Sequence, residues 1–164
     1  MTHAGSGARR TTGTGPHLVL YDGRCGLCHG LVRFVVARDS RGLFHFASLQ
    51  GPVAARFLEP LGVDPKGAET VYLVANYREP NPEIRVKARA ILALFDGLGW
   101  PWRSAAVFRG LPARWLDGVY DLIARNRHRW FGRREACVVP SPEFRDRLLD
   151  PPEVEPAPGR REGS

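Results

Sequence analysis

Residues 17–36 read HLVLYDGRCGLCHGLVRFVV, and they constrain the chain more than any other stretch. An apolar run ends at Tyr21, and Asp22-Gly23 makes a turn. Two cysteines follow, two residues apart, and apolar positions then recur at helical spacing. Three uses fit Cys25 and Cys28 at such a strand–turn–helix junction. They are a redox couple, half of a metal site, or two small core residues.

The length of 164 residues suits one domain with a real core. No stretch approaches the roughly 20 apolar residues of a membrane span. Residues 1–17 are basic in part but lack an apolar h-region, so no secretory signal is read there. Three cysteines do not suggest a disulfide framework, and the expected setting is a reducing cytoplasm. There a CxxC is more often catalytic or metal-binding than structural. The net charge of +7 is nearly all arginine, because Lys66 and Lys87 are the only lysines. A basic surface attracts nucleic acid, anionic lipid or acidic partners; the plainer reading is surface composition.

Residues 1–16 are expected to form a disordered leader and 150–164 a disordered tail, because neither holds enough large apolar residues to bury. The folded unit is then 17–149. In its first part, strands are expected at 17–21, 42–46, 69–75 and 83–87, and helices at 26–39, 52–62 and 90–99. Leu27, Leu31, Phe34 and Val35 mark the inner face of the first helix, and Ile91, Leu94, Phe95 and Leu98 that of the third. The order βαβαββα, over 17–99, is that of a minimal thioredoxin-like α/β core. The strands around the first helix should be parallel, with a right-handed crossover. The last two should pair as an antiparallel hairpin. Residues 100–149 read as a helical extension packed on the sheet. Leu116, Val119, Tyr120 and Ile123 share one face of its long helix, and a short last helix is capped by Ser141 with Pro142 at its start.

A helix N-terminus presents unpaired N–H groups and a positive dipole end, which favour a thiolate. Cys25, at the cap, gains most, with Arg24 and His29 adding positive charge; Cys28 lies one turn on and deeper. Cys25 is therefore the expected nucleophile and Cys28 the resolving thiol. Zinc needs about four ligands. No second CxxC is present, so Cys137 and one of His29, His45 or His128 would have to converge on the pair. Redox is favoured because strand, turn, CxxC and helix agree.

The chain resembles the DCC family of thiol-disulfide oxidoreductases. YDGRCGLC (21–28) matches that family's YDG-x-C-x-x-C and supplies Asp22, Cys25 and Cys28. FHFASLQ (44–50) resembles its second block, ending in Gln50. YDLIARNRHRWFGRREAC (120–137) resembles its C-terminal block, with Asn126, Arg127, Phe131 and Gly132 in register and Cys137 after them. Members are mostly small bacterial proteins. The resemblance implies a thioredoxin-like fold and thiol-disulfide exchange through a Cys25–Cys28 couple with no further cofactor. The partners implied are a disulfide-bearing protein or small molecule and a cellular reductant.

Two departures stand out. Ala88-Arg89 replaces the Ser and polar residue that often follow at this point. Thioredoxin-like proteins also place a cis-proline before the third strand, where this chain has Glu69-Thr70. A trans peptide is expected there, with Thr70 facing Cys25.

Among supporting residues, Asp22 is a proton carrier or, more simply, a turn former. Tyr21 borders the site or packs in the core, and Gln50 bonds near the site or caps the next helix. The arginines of 125–134 invite nucleic acid through phosphate contacts and stacking on Trp130 and Phe131. Pairing with Asp117, Asp121 or Glu135 at a helix end is the plainer reading, and nucleic-acid binding is not expected. The competing function is a zinc-stabilised or basic binding module without redox activity. Cys137 reads as a third redox thiol or, more simply, a buried residue.

Overall fold

The first strand, β1 (His17–Tyr21), is buried along its whole length. A computed structural model describes residues 15–65, 70–132 and 142–150. Its four-stranded sheet has the order β2-β1-β3-β4, with β2 at Phe44–Ser48, β3 at Tyr72–Ala75 and β4 at Glu83–Val86. β1 runs parallel to β2 and antiparallel to β3, and β3 pairs antiparallel with β4. The α/β core is thus the expected βαβαββα arrangement, followed by C-terminal helices.

A central strand with both faces covered needs no apolar–polar alternation, which explains the unbroken run LVLY. Val19 and Tyr21 join one core cluster with α1 (Gly26–Arg38) and α3 (Lys87–Leu98). Leu18 and Leu20 join the other, beneath α2 (Pro52–Leu58). The first helix turns its buried stripe one residue from the expected face: Cys28, Val32 and Val35 are buried, while Leu27, Leu31 and Phe34 pack along its margin. The third helix buries its small residues Ala90, Ala93 and Gly97 beside Leu94. A Cβ on Gly97 would lie 2.5 Å from the Phe44 ring, so this close approach requires glycine.

The second strand starts two residues later than expected, because its pairing with β1 runs from Phe44 to Ser48. A 3-10 segment, Trp102–Gly110, then packs Trp102 edge-on against Phe34, with ring centroids 4.7 Å apart. The long helix α4 (Ala113–Phe131) packs on α1 and α3. Its expected inner face is also corrected: Val119 and Ile123 are exposed, while Leu116 and Tyr120 are half-buried.

After α5 (Pro142–Arg145) the chain returns to the edge of β2. There the Phe46 N–H donates to the Arg147 carbonyl at 2.9 Å, and Leu149 N–H donates to the Phe46 carbonyl at 2.9 Å. Asp150, assigned to the tail by composition, is buried; its carboxylate accepts from the Ser48 N–H and from Val53 N–H at the start of α2. The Ser141 cap, the Glu69-Thr70 peptide, Glu135 and Cys137 lie outside the described residues.

Candidate functional site

The polypeptide leaves β1 at Tyr21 and turns through Asp22–Cys25, with Cys25 N–H donating to the Asp22 carbonyl at 3.2 Å. Cys25 is the N-cap of α1 in extended backbone, and its carbonyl receives the His29 N–H. This geometry brings the backbone amides of Leu27 and Cys28 to the Cys25 sulfur. Both cysteines are free thiols and both are buried.

The two sulfurs have opposite acidities. Cys28 donates its S–H to Cys25, and that bond, aided by backbone N–H groups and the Arg127 guanidinium, lowers Cys25 from 9.0 to about 6 against the cost of burial. Cys28 is pushed upward by the same bond and then by burial. The helix N-terminus acts on Cys25 as its position predicts. The cation that acts on Cys25 is Arg127, remote in the chain, while the side chain of Arg24 is exposed. His29 instead braces the turn, its Nε2 donating to the Gly23 carbonyl at 2.7 Å and its ring meeting Tyr21 edge-on.

Access to the pair is closed in this structure: Cys25 is 0% exposed and Cys28 4%. The C-terminal turn of α4 lies against this end of α1: a Cβ on Gly26 would come within 2.7 Å of the Phe131 carbonyl oxygen. Glycine at the first position of α1 is what permits that approach.

Beneath the turn runs a polar network. Asp22 is buried, and its Oδ1 accepts from Arg24 N–H at 3.0 Å and from Gln50 Nε2 at 3.2 Å. Its Oδ2 accepts from Arg127 Nη2 at 3.3 Å, and Arg127 is itself only 3% exposed. Asp22 is therefore more than a turn former. Gln50 Oε1 accepts from Gly23 N–H and from Ser48 Oγ, so Gln50 braces the CxxC turn, while Asp150 serves the start of α2. Tyr21 belongs to the core cluster that also holds both cysteines. Thr70 donates its hydroxyl to the Tyr120 hydroxyl oxygen at 2.8 Å, and the Val71 N–H donates to that same oxygen at 3.0 Å.

Tyr120 and Ser48 are contributors that sequence reasoning missed. Tyr120 read as one apolar position on a helix stripe, and nothing local in the chain marks its partner 50 residues away. Of the histidines considered as zinc ligands, His45 packs edge-on against Tyr77, and burial lowers its pKa. Among the described residues, no three of His, Cys, Asp and Glu gather as a ligand set.

The family model for DCC1-like thiol-disulfide oxidoreductases matches residues 19–133. The protein YuxK of Bacillus subtilis strain 168, described as uncharacterized, is 33% identical over 132 residues, covering 80% of this chain and 93% of that one. A DCC family protein of Arabidopsis thaliana, described as chloroplastic, is 31% identical over 123 residues, covering 74% of this chain and 69% of that one. No solved structure matches the chain.

Proposed function

The chain belongs to the DCC1-like thiol-disulfide oxidoreductase family, and from that premise we propose that Cys25 and Cys28 are its redox couple, with Cys25 attacking and Cys28 resolving. The observation that carries this assignment is the split acidity of the two thiols: Cys25 lowered to about 6, Cys28 raised. Near neutral pH the first is a thiolate and the second a thiol that holds the proton.

The thiolate of Cys25 attacks one sulfur of a substrate disulfide. That S–S bond breaks, a mixed disulfide forms, and the departing substrate thiolate takes a proton from solvent. The charge on Cys25 is then gone, so the bond that held the Cys28 proton loses its anionic acceptor. Cys28 gives up its proton and attacks the Cys25 sulfur. The second substrate thiolate leaves, and a Cys25–Cys28 disulfide remains. Two electrons have passed from the chain to the substrate, and a cellular dithiol restores the reduced form.

Arg127 is assigned as the positioning cation, set by Asp22 and acting through space to lower the pKa of both thiols. Gln50 holds the Asp22–Gly23 turn. Tyr21, Arg24 and Thr70 frame the approach. Because Cys25 is covered, exchange requires the end of α4 to move off the first turn of α1. A reducing compartment such as the cytoplasm suits a couple that begins as a dithiol.

The test is iodoacetamide alkylation of the reduced chain against pH, with mass mapping of the labelled sites. Preferential labelling of Cys25 with a midpoint near 6, followed by a Cys25–Cys28 disulfide on oxidation, is the expected result. A slow Cys25, or cysteines shielded until a chelator is added, overturns the assignment and makes the site structural or metal-binding.

A further inference from the structure

The apolar residues of α4 point the wrong way for a helix held by a core. At about 100° per residue, Trp115, Val119, Leu122, Ile123 and Trp130 fall within an arc of roughly 100°. All five are exposed, Trp115 at 69% and Trp130 at 58%. The side that faces the body is polar by comparison: Tyr120 bonds to Thr70 and Val71, Asp121 to Lys87, and Arg127 to Asp22. Apolar stripes this large on a monomer mark an interaction surface.

Charge indicates what covers it. Arg114, Arg125 and Arg129 are exposed and line one edge of the stripe, within roughly 60° of each other on the helix. The two aspartates of α4, Asp117 and Asp121, lie around toward the body, and Asp121 is joined to Lys87 at 3.0 Å. A two-fold pairing of this face with a second copy would add cation to cation. A helix with tryptophan at each end of an apolar stripe, aliphatic residues between and an arginine edge has the pattern of an interfacial helix. Among the described residues no helix is long and apolar enough to cross a membrane, so such a helix lies in the headgroup plane.

We propose that the outer face of α4 docks on an anionic lipid surface, with Trp115, Val119, Leu122, Ile123 and Trp130 entering the acyl boundary and Arg114, Arg125 and Arg129 pairing with lipid phosphates. This surface stands apart from the redox assignment: none of the side chains it uses belongs to Cys25, Cys28, Asp22, Gln50 or Arg127.

The experiment is co-sedimentation of the full chain with vesicles of phosphatidylcholine alone and of equal parts phosphatidylcholine and phosphatidylglycerol. Binding to the anionic vesicles, with blue-shifted tryptophan emission quenched by brominated acyl chains, is expected. The triple substitution Trp115→Ser, Val119→Ser, Leu122→Ser should weaken binding at least about tenfold. Arg114→Gln, Arg125→Gln and Arg129→Gln should each weaken it about fivefold. The replaced side chains are exposed, and circular dichroism checks that each variant is folded. Binding without quenching, or binding that neither set of variants weakens, assigns the affinity to the basic chain in general and overturns the proposal. So does the lack of any vesicle binding by the unmodified chain. A dimer in light scattering that Trp115→Glu dissolves gives the face to a second copy, and preferential retention of RNA over anionic vesicles gives it to nucleic acid; either outcome overturns the proposal.

Discussion

The two helices that meet at the cysteines are attached to the molecule by opposite means. The first, α1, is held by apolar burial: Cys28, Val32 and Val35 sink into a cluster with Phe44, Phe46 and Leu94. The fourth, α4, is held by polar contacts, and most of its large apolar side chains face outward. Burial is non-directional and adds over many atoms, so α1 is fixed along its whole inner stripe. A few hydrogen bonds and ion pairs give less net stability and depend on geometry. The rigid helix therefore carries the thiols, and the loosely held one covers them. That division suits the exchange proposed for Cys25, which would need the thiol shielded between encounters and reachable during one.

The difference is widest in the core. Phe44→Ala removes a fully buried ring against Gly97 and should cost about 3–5 kcal/mol, read as a lower urea midpoint. A loss near zero would mean that the α1 side of the sheet is not the stabilising half.

Arg127→Met comes next. It leaves Asp22 buried without its guanidinium and should cost about 3 kcal/mol. It should also move the Cys25 alkylation midpoint upward, because the cation favours the thiolate. The pH dependence of the reduced parent follows from the same shift. The Cys25 value is lowered on folding, so its contribution is present above the unfolded value of 9.0 and is lost as pH falls toward about 6. The Cys28 value is raised, so its contribution is present below the unfolded value and is lost as pH rises above it. The urea midpoint of the reduced chain should therefore climb between pH 6 and 9 and fall beyond, as the Cys28 contribution is lost. A flat profile across that window would remove the thiolate from the account.

Tyr120→Phe deletes only the hydroxyl that holds α4 to Thr70 and Val71. About 1 kcal/mol of stability should be lost, together with faster hydrogen exchange in α4 and faster labelling of Cys25. Unchanged Cys25 labelling would mean that α4 is not the cover. Smallest of all, Val119→Ser on the outer stripe should leave stability within ~0.5 kcal/mol, since the side chain is already in water.

How much of this was legible in the chain depended on how local each cause is. The Asp22–Cys28 turn declared itself, because a turn former, a cap position and a helical repeat are adjacent in sequence. So did two of the three strand pairings, β1 with β2 and β3 with β4, because connection lengths decide parallel against antiparallel pairing. The inner face of α4 did not. Periodicity marks an apolar stripe without saying whether the body or something else will cover it, and here polar pairs with Thr70, Lys87 and Asp22 turned the stripe outward. Nor did the tail: Asp150 sits in a proline-rich segment, yet a parallel bridge beside β2 draws its carboxylate to Ser48 and Val53.

By itself, then, the sequence determined the α/β core, the place of the CxxC at the first helix and the candidate pair of thiols. These follow from propensity, spacing and chain connectivity, which act over a few residues. Only the tertiary structure decided that Cys25 is covered, that its distant cation is Arg127 rather than Arg24, and that α4 shows water its apolar side. Those outcomes depend on which groups remote in the chain come within reach of each other, as Lys87 and Asp121 do across 34 residues and Thr70 and Tyr120 across 50. No local pattern encodes that choice.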